Sequence, residues 1–314
     1  MRLLVLGAGA VGGYFGGRLA ETGVDVTFLV RPKRRDELNR HGLRIESPLG
    51  NVHIPVSTIP AESLRPDYDL VLFTCKAYDL ESAVDAITPA MQGSCAVLPL
   101  LNGLAHFDVL DDRFGAASVM GGSCHIDVTL HPDAVIRHGG TLQRLTFGER
   151  DRRPSERAQT LAAILGRTRI DWELSDDIER SLWEKLVFLC VLAGMTSLFR
   201  GNVREIMAAP GGREAMMQSL EAAIAVATHE GHPPSQEAVD FARERLTDAA
   251  GAWSASMMRD VEAGRPTEAD PIIGWMLERA RRHGVEAPIL ALAYTHLKTY
   301  EARRAAGRLP GSTV

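Results

Sequence analysis

The chain has 314 residues, enough for about two domains and for a full hydrophobic core. Charged residues make up 24% and apolar types 45%, a globular balance that excludes a disordered, collagen-like or low-complexity chain. Thirty-five basic against 40 acidic side chains give a formal charge of −5, so no global attraction to nucleic acid or an anionic membrane is expected, although a local basic pocket could hold a small anion.

Four cysteines, Cys75, Cys95, Cys124 and Cys190, form no CxxC pair and read as reduced, buried thiols of a cytoplasmic protein. Met1 and Arg2 lead at once into a short apolar strand and glycines, a pattern unlike a secretory signal. The longest uncharged apolar run, residues 186–199, is shorter than the roughly 18 residues of a membrane span and reads as a buried core helix.

In chain order, the first half alternates short apolar runs with helical patterns. Strands are predicted at 3–6, 24–30, 69–74 and 95–100, with a helix over 11–21 after the first. Residues 44–45 and 52–54 flank the turn signal Ser47-Pro48-Leu49-Gly50-Asn51 and predict a hairpin. Strands alternating with helices mean a largely parallel sheet covered on both faces. From 118 to 148 short β segments punctuated by Gly and Pro predict antiparallel strands at one edge of that sheet. Beyond 168 the β signals nearly vanish, and helices are predicted over 177–199, 212–229, 236–248, 253–263, 272–283 and 289–306, separated by Pro210, Pro233, Pro234, Pro266 and Pro288. Residues 307–314 are expected to fray.

The densest local motif is Gly7-Ala8-Gly9-Ala10-Val11-Gly12. It follows a strand, opens a helix and precedes a second strand, the setting in which a GxGxxG turn binds a dinucleotide. Gly7 permits the turn, Gly9 lets the backbone approach a pyrophosphate, and Gly12 lets the helix pack on the sheet. The helix start at Ala10 and Val11 offers amide donors to the phosphates. The fold class is therefore α/β: an N-terminal Rossmann-type domain with an antiparallel β extension over 1–172, then an all-α domain over 173–314.

An NAD site places an acid at the end of the second strand to accept from the ribose hydroxyl. Here that strand ends in Arg31, followed by Lys33, Arg34 and Arg35. A guanidinium clamps a phosphate with two hydrogen bonds, so NADP(H) is the expected cofactor and Arg31 its main selector. Lys76 and Asn102 follow the next two apolar runs, at the carboxyl ends of strands where ligands of such sheets sit. Each is a cofactor candidate, and Asn102 offers both a donor and an acceptor.

The order of GxGxxG, Arg31, Lys76 and Leu101-Asn102-Gly103 resembles ketopantoate reductase (2-dehydropantoate 2-reductase), and the match extends over nearly the whole chain. Trp183-Glu184-Lys185-Leu186 resembles that family's W-x-K-L element. Ser254-Ala255-Ser256-Met257 with Asp260, and then Gly264-Arg265-Pro266-Thr267-Glu268-Ala269-Asp270, resembles its S-S-M-x-x-D…G-R-x-T-E-x-D signature. His283-Gly284 with Pro288 resembles its H-G-x-x-x-P. The resemblance implies NADPH-dependent reduction of a 2-oxo acid in pantothenate biosynthesis. It implies that Lys185 is the general acid, that Glu268 partners that lysine and the substrate, that Ser256 binds substrate, and that Asn102 lies between cofactor and substrate. The chemistry agrees: a keto oxygen that gains negative charge as hydride arrives needs an acid beside it. Partial burial is expected to draw the Lys185 pKa down, and a nearby Glu268 to draw it up.

Two departures bear on the substrate. Where the family carries Asn four and eight residues after the lysine, then Pro, this chain has Leu189, Ala193 and Gly194. Losing those polar groups points to a 2-oxo acid without pantoate's terminal hydroxyl. A related reductase of a more apolar 2-oxo acid therefore stands as an alternative, alongside a β-hydroxyacid dehydrogenase of the same two-domain plan and a non-enzymatic NADP-sensing protein. The segment His229-Glu230-Gly231-His232 has HExH spacing, not HExxH, and no metal site is expected. His125, His131 and His138 read as surface or packed residues, with cleft lining after Gly121-Gly122 the alternative for His125. The helical half carries enough apolar surface for a homodimer; the expected ligand is a small anionic 2-oxo acid, with no nucleic-acid or membrane partner.

Overall fold

The computed structural model describes residues 1–309; the rest of the tail expected to fray lies outside the described residues. The chain divides into two compact units, one of residues 1–101 and 106–181, the other of 102–105 and the residues after 181. The division falls later than 172/173, within a long helix, because the last strand of the first unit ends only at Leu174 and is paired into its sheet.

The first unit begins with β1 (Leu3–Leu6), α1 (Ala10–Ala20), β2 (Val26–Leu29), α2 (Pro32–His41), the hairpin β3 (Leu43–Glu46) and β4 (Val52–Ile54), and β5 (Ser57–Ile59). It continues through β6 (Leu70–Phe73), α3 (Leu80–Ile87), β7 (Ala96–Pro99), α4 (Ala105–Phe114), β8 (Gly121–Leu130), β9 (Val135–Gly148), α5 (Glu156–Leu165) and β10 (Asp171–Leu174). Strands β1, β2, β6 and β7 are buried at every residue, as in a parallel sheet covered on both faces. The sheet order is β5-β2-β1-β6-β7, parallel throughout. The chain leaves β1 in one direction and returns to its other side at β6. The carboxyl ends of β1 and β6 therefore flank the switch-point crevice where such sheets bind ligands.

The strands expected at the edge of this sheet instead build a second sheet, β10-β9-β3-β4, with β8 antiparallel to β9 and β9 parallel to β3 and β10. The two sheets meet at the β-bridge of Val97 with Val119. The reason lies in α1, which is packed between them. A Cβ at Gly16 would stand 2.7 Å from the Phe28 ring of the first sheet, and one at Gly17 would stand 2.5 Å from Leu43 of the second. A helix with bare glycine faces on both sides admits a sheet on each, and burial drives both against it. His138 is packed in this region, its Nδ1 2.9 Å from the Ser47 hydroxyl, whereas His125 is exposed on β8.

The second unit is helical: α6 (Ile178–Phe199), whose first residues still belong to the first unit, then α7 (Val203–Ala208), α8 (Gly212–His229), α9 (Gln236–Leu246), α10 (Ser256–Glu262), α11 (Trp275–Arg282) and α12 (Pro288–Ala305). By length and composition α6 could cross a membrane, but Leu186, Val187, Cys190, Val191, Ala193 and Met195 are buried by protein, as in a core helix. Burial pushes the Cys190 thiol up to about 12 and Cys95 likewise, while Cys75 and Cys124 are only half-buried, contrary to the expectation for all four.

Three helix starts differ from expectation. Helix α7 lies outside the predicted helices, although Asn202 and Glu205 form a complete capping box. Helix α10 begins at Ser256 rather than 253, because Trp253 stands apart, half-exposed beneath the Arg245 guanidinium. The helix predicted from 272 is preceded by a π-helical turn, Asp270–Gly274, where Pro271 supplies no backbone N–H to the regular ladder.

Candidate active site

The glycine turn is built as the motif requires. Gly7 has φ +85°, and its amide donates to the Leu29 carbonyl at 2.9 Å. Gly9 caps α1 without any side-chain hydrogen bond, and a Cβ there would meet nothing within 4 Å. Open space thus lies beside the start of α1 at Ala10, where the helix presents the positive end of its dipole and carries no acidic residue in its first turn. Gly12 is the opposite case: a Cβ there would lie 2.2 Å from Thr74 Oγ1 and 2.3 Å from the Gly7 carbonyl oxygen. An open cradle over Gly9 and a closed joint at Gly12 fit a dinucleotide pyrophosphate.

Arg31 caps the N-terminus of α2, at the carboxyl end of β2, with its side chain 76% exposed and its Nη2 3.0 Å from Asp79 Oδ1. Arg34 has a different task. It is 14% exposed, and its Nε donates to the Ala8 carbonyl at 2.9 Å, which ties the glycine turn to α2. Its Nη1 reaches Glu37 Oε2 at 3.2 Å and the Ala134 carbonyl at 3.3 Å. Lys76 is exposed, just beyond β6, and Asn102 is half-buried beyond β7.

Asn102, Lys185, Ser256 and Glu268 all belong to the helical unit. The Asn102 turn packs on the π-helical segment: a Cβ at Gly103 would stand 2.5 Å from the Pro271 carbonyl oxygen. Trp183, buried on α6, has its ring centroid 5.4 Å from that of Trp275 and 5.2 Å from that of His232. The segment from Glu268 to Trp275 is thereby held between the Asn102 turn and the part of α6 that carries Lys185. Lys185 is half-buried and Glu268 only 7% exposed. At the other end of α6, the Ala255 amide donates to Thr196 Oγ1 at 3.4 Å, which fixes the start of α10 and Ser256 there. Residues 185 and 196 lie on one helical face about 16 Å apart along the axis. Between them that face carries Leu189, partly exposed, and adjoins the buried Ala193.

The fold recurs in proteins of known family. The family model for ketopantoate reductase PanE/ApbA matches residues 3–152, and that for the C-terminal part of the same family matches residues 177–301. The chain belongs to the ketopantoate reductase family. The uncharacterized oxidoreductase YkpB of Bacillus subtilis (strain 168) is 34% identical over 97% of this chain and 100% of its own length. A 2-dehydropantoate 2-reductase from Geobacter metallireducens GS-15 superposes with a TM-score of 0.86 at 30% identity, covering 95% of this chain and 99% of that one. D-mandelate dehydrogenase with NADH and anilino(oxo)acetate shares the fold, at a TM-score of 0.86 and 20% identity over 97% of this chain and 100% of that one. This ketopantoate reductase family member is an oxidoreductase, and its glycine cradle fits a nicotinamide dinucleotide.

The T-E-x-D stretch, buried from Thr267 to Ala269 and exposed at Asp270, is anchored by residues that sequence reasoning missed. Tyr294 Oη donates to Asp270 Oδ1 at 2.6 Å, Lys298 Nζ to Asp270 Oδ2 at 2.8 Å and to Glu301 Oε2 at 2.7 Å, and the Thr267 hydroxyl donates to Glu301. All three partners lie on α12, so only their helical spacing, at 294, 298 and 301, could have signalled them. Burial opposes the charge on Asp270, but the hydrogen bonds from Lys298 and Tyr294 outweigh it and hold the carboxyl below its usual range. A depressed carboxyl pKa contributes stability that is present above the unfolded value and lost as pH falls through the folded one. In the thermal midpoint of wild type against Asp270→Asn, a small stabilisation, below about 1 kcal/mol for so exposed a pair, is expected at neutral pH; it should begin to fall below the ordinary value of 3.8 and vanish once the pH is below the lowered folded value. A difference that persists at lower pH would place the effect elsewhere.

The segment that superficially looks like a zinc motif is also accounted for. Glu230 accepts from His283 Nε2 at 2.6 Å and lies 3.3 Å from Arg279, whose guanidinium covers the Trp275 ring. Those contacts tie α8 to α11 behind Trp183.

Proposed function

We propose that this protein reduces a 2-oxo acid to the 2-hydroxy acid with NADPH in the cytoplasm, and that the substrate is 2-dehydropantoate, giving pantoate. The observation that carries the reading is the joint placement of a half-buried lysine, Lys185, and a buried carboxylate, Glu268, within one compact unit. A buried Glu is rare without a charged or hydrogen-bonding role, and this pair is the acid that a developing alkoxide needs.

Gly7, Gly9, Ala10, Val11 and Gly12 would hold the pyrophosphate, Arg31 the 2′-phosphate, and Lys76 and Asn102 the remaining polar groups at the carboxyl ends of β6 and β7. Bound NADPH supplies the hydride. Lys185 holds its proton towards the keto oxygen and releases it as charge builds there. Glu268 orients the ammonium. Asn102 hydrogen-bonds the reacting end, and Ser256 binds the substrate from the far end of the α6 face.

Leu189 and Ala193 favour a second reading, a more apolar 2-oxo acid. Gly194 reinforces it: a Cβ there would meet Leu290 at 3.3 Å and Ile273 at 3.5 Å, so this part of α6 is surrounded by hydrocarbon. NADPH oxidation across a panel of ketopantoate, 2-oxoisovalerate and longer aliphatic 2-oxo acids separates the readings. A kcat/KM for ketopantoate at least about tenfold above the others supports the first, since a site built for a hydroxyl discriminates strongly. Equal or faster turnover of the aliphatic acids assigns the second. NADPH binding without turnover of any of them refutes both and favours a sensor.

A further inference from the structure

Arg31 and Asp79 are 48 residues apart in sequence and joined by one hydrogen-bonded ion pair at 3.0 Å. Arg31 leaves the carboxyl end of β2, and Asp79 stands in the turn after β6. Both strands pair with β1, on opposite sides of it. The bridge therefore spans the carboxyl end of β1, from which the glycine turn springs, a gap of about two strand spacings, close to 10 Å. It crosses the crevice at the place where the adenosine ribose of a bound dinucleotide is selected.

Asp79 is also oriented unusually for its position. It is the N-cap of α3, where an aspartate normally accepts from the backbone amides of its own helix, yet its side chain makes no capping bond. The carboxylate points away from the helix start to the guanidinium across the crevice. The pair is exposed, 76% for Arg31 and 37% for Asp79, so it adds little to stability and opens readily for a ligand.

We propose that Asp79 is a specificity-determining residue that weakens the preference for a 2′-phosphate. The inference rests on the reading of Arg31 as the 2′-phosphate contact. A strand-two acid is absent from this chain, and Asp79 supplies one from the opposite side of the crevice. Towards a 2′-hydroxyl its carboxylate is an acceptor. Towards a 2′-phosphate it is a competitor for Arg31 and a like charge left nearby. With Arg31 and Asp79 both at the ribose, the site takes NADH as well as NADPH, and the ratio between them is set by this one carboxylate.

The test measures binding rather than turnover. Titration calorimetry of 2′,5′-ADP and 5′-AMP against the full chain isolates the adenosine end of the cofactor. Asp79→Asn keeps the shape of the side chain and removes its charge. The expected result is an affinity ratio of 2′,5′-ADP over 5′-AMP raised about five- to tenfold, chiefly through tighter 2′,5′-ADP binding, as expected for removing one competing charge beside a charge-assisted contact. Arg31→Ala should collapse the wild-type ratio towards unity. If Arg31→Ala collapses the ratio and Asp79→Asn leaves it unchanged or lowers it, the role of Asp79 is overturned while the reading of Arg31 stands. If neither substitution moves the ratio, both are overturned.

Discussion

Replacing Lys185 with alanine is expected to lower kcat by about 10²–10⁴-fold, the range for removing a positioned general acid, with the Kd for NADPH changed less than about twofold. The separation follows from where the parts lie. The glycine turn and Arg31 belong to the first unit, and Lys185 to the helical one. The loss should appear in kcat and kcat/KM together, because the proton is needed only once charge develops on the keto oxygen. The lysine is set by its surroundings: Trp183 is buried two residues earlier, and Leu186 and Val187 are buried directly after it. Truncation at the half-buried position 185 therefore leaves the packed faces of α6 in place, and a fall in thermal midpoint of more than a few degrees is not expected. Stopped-flow hydride transfer with ketopantoate, beside NADPH titration by fluorescence, reads both quantities. Turnover within tenfold of wild type would remove Lys185 from the chemistry. Lost NADPH binding would make it a cofactor ligand instead.

Much of this arrangement is legible in the sequence, and the parts that are not share one physical cause. Leu3 to Gly12 announce strand, turn and helix because the constraints there are local: an apolar run, a residue with φ +85° and a helix start lie within ten positions. The bounds of α8 are legible for the same reason, with Gly211 and Gly231, both at positive φ, beside its two ends. What alternation cannot say is which sheet a strand joins. Residues 121–148 read as β from their own pattern, but their partner β3 is decided by the packing of Gly13 and Gly17 of α1 against Ile136, Leu43 and Ile45. The same holds within the site. Arg31 and Arg34 stand three positions apart in one basic run, yet one faces solvent and Asp79 while the other is spent on the Ala8 carbonyl. Tyr294 and Lys298 lie in a helix with little apolar sidedness to mark them, and their bonds to Asp270 exist only once the chain has folded back.

Among stability effects the largest expectation falls on the glycine turn, where two glycines three residues apart should fail in different ways. Gly12→Ala is expected to unfold the protein at a lower temperature and to lose NADPH binding; Gly9→Ala is expected to lose binding alone. At Gly12 the added Cβ would stand 2.2 Å from Thr74 Oγ1 and 2.3 Å from the Gly7 carbonyl oxygen. The threonine can turn away only by giving up its 2.8 Å hydrogen bond to the Leu6 carbonyl. The Gly7 oxygen is backbone in a turn whose amide is held by Leu29, so it cannot turn at all without moving β1 against β2. Overpacking of this kind costs about 1–3 kcal/mol, which for a protein of this size lowers the thermal midpoint by roughly 2–10 °C. Adding Thr74→Ala should recover only part of that loss, because the clash with the carbonyl remains. At Gly9 the backbone is extended, with φ −77°, and a Cβ would meet nothing within 4 Å, so the folded protein tolerates it. That same open space is where the pyrophosphate must approach the α1 amides, and the methyl group would hold it off by more than a hydrogen-bond length. Calorimetric scans with and without NADPH distinguish the two. A Gly9→Ala protein that melts as wild type but is no longer stabilised by NADPH fixes the cradle as the cofactor site. Undiminished stabilisation would place the dinucleotide elsewhere in the molecule.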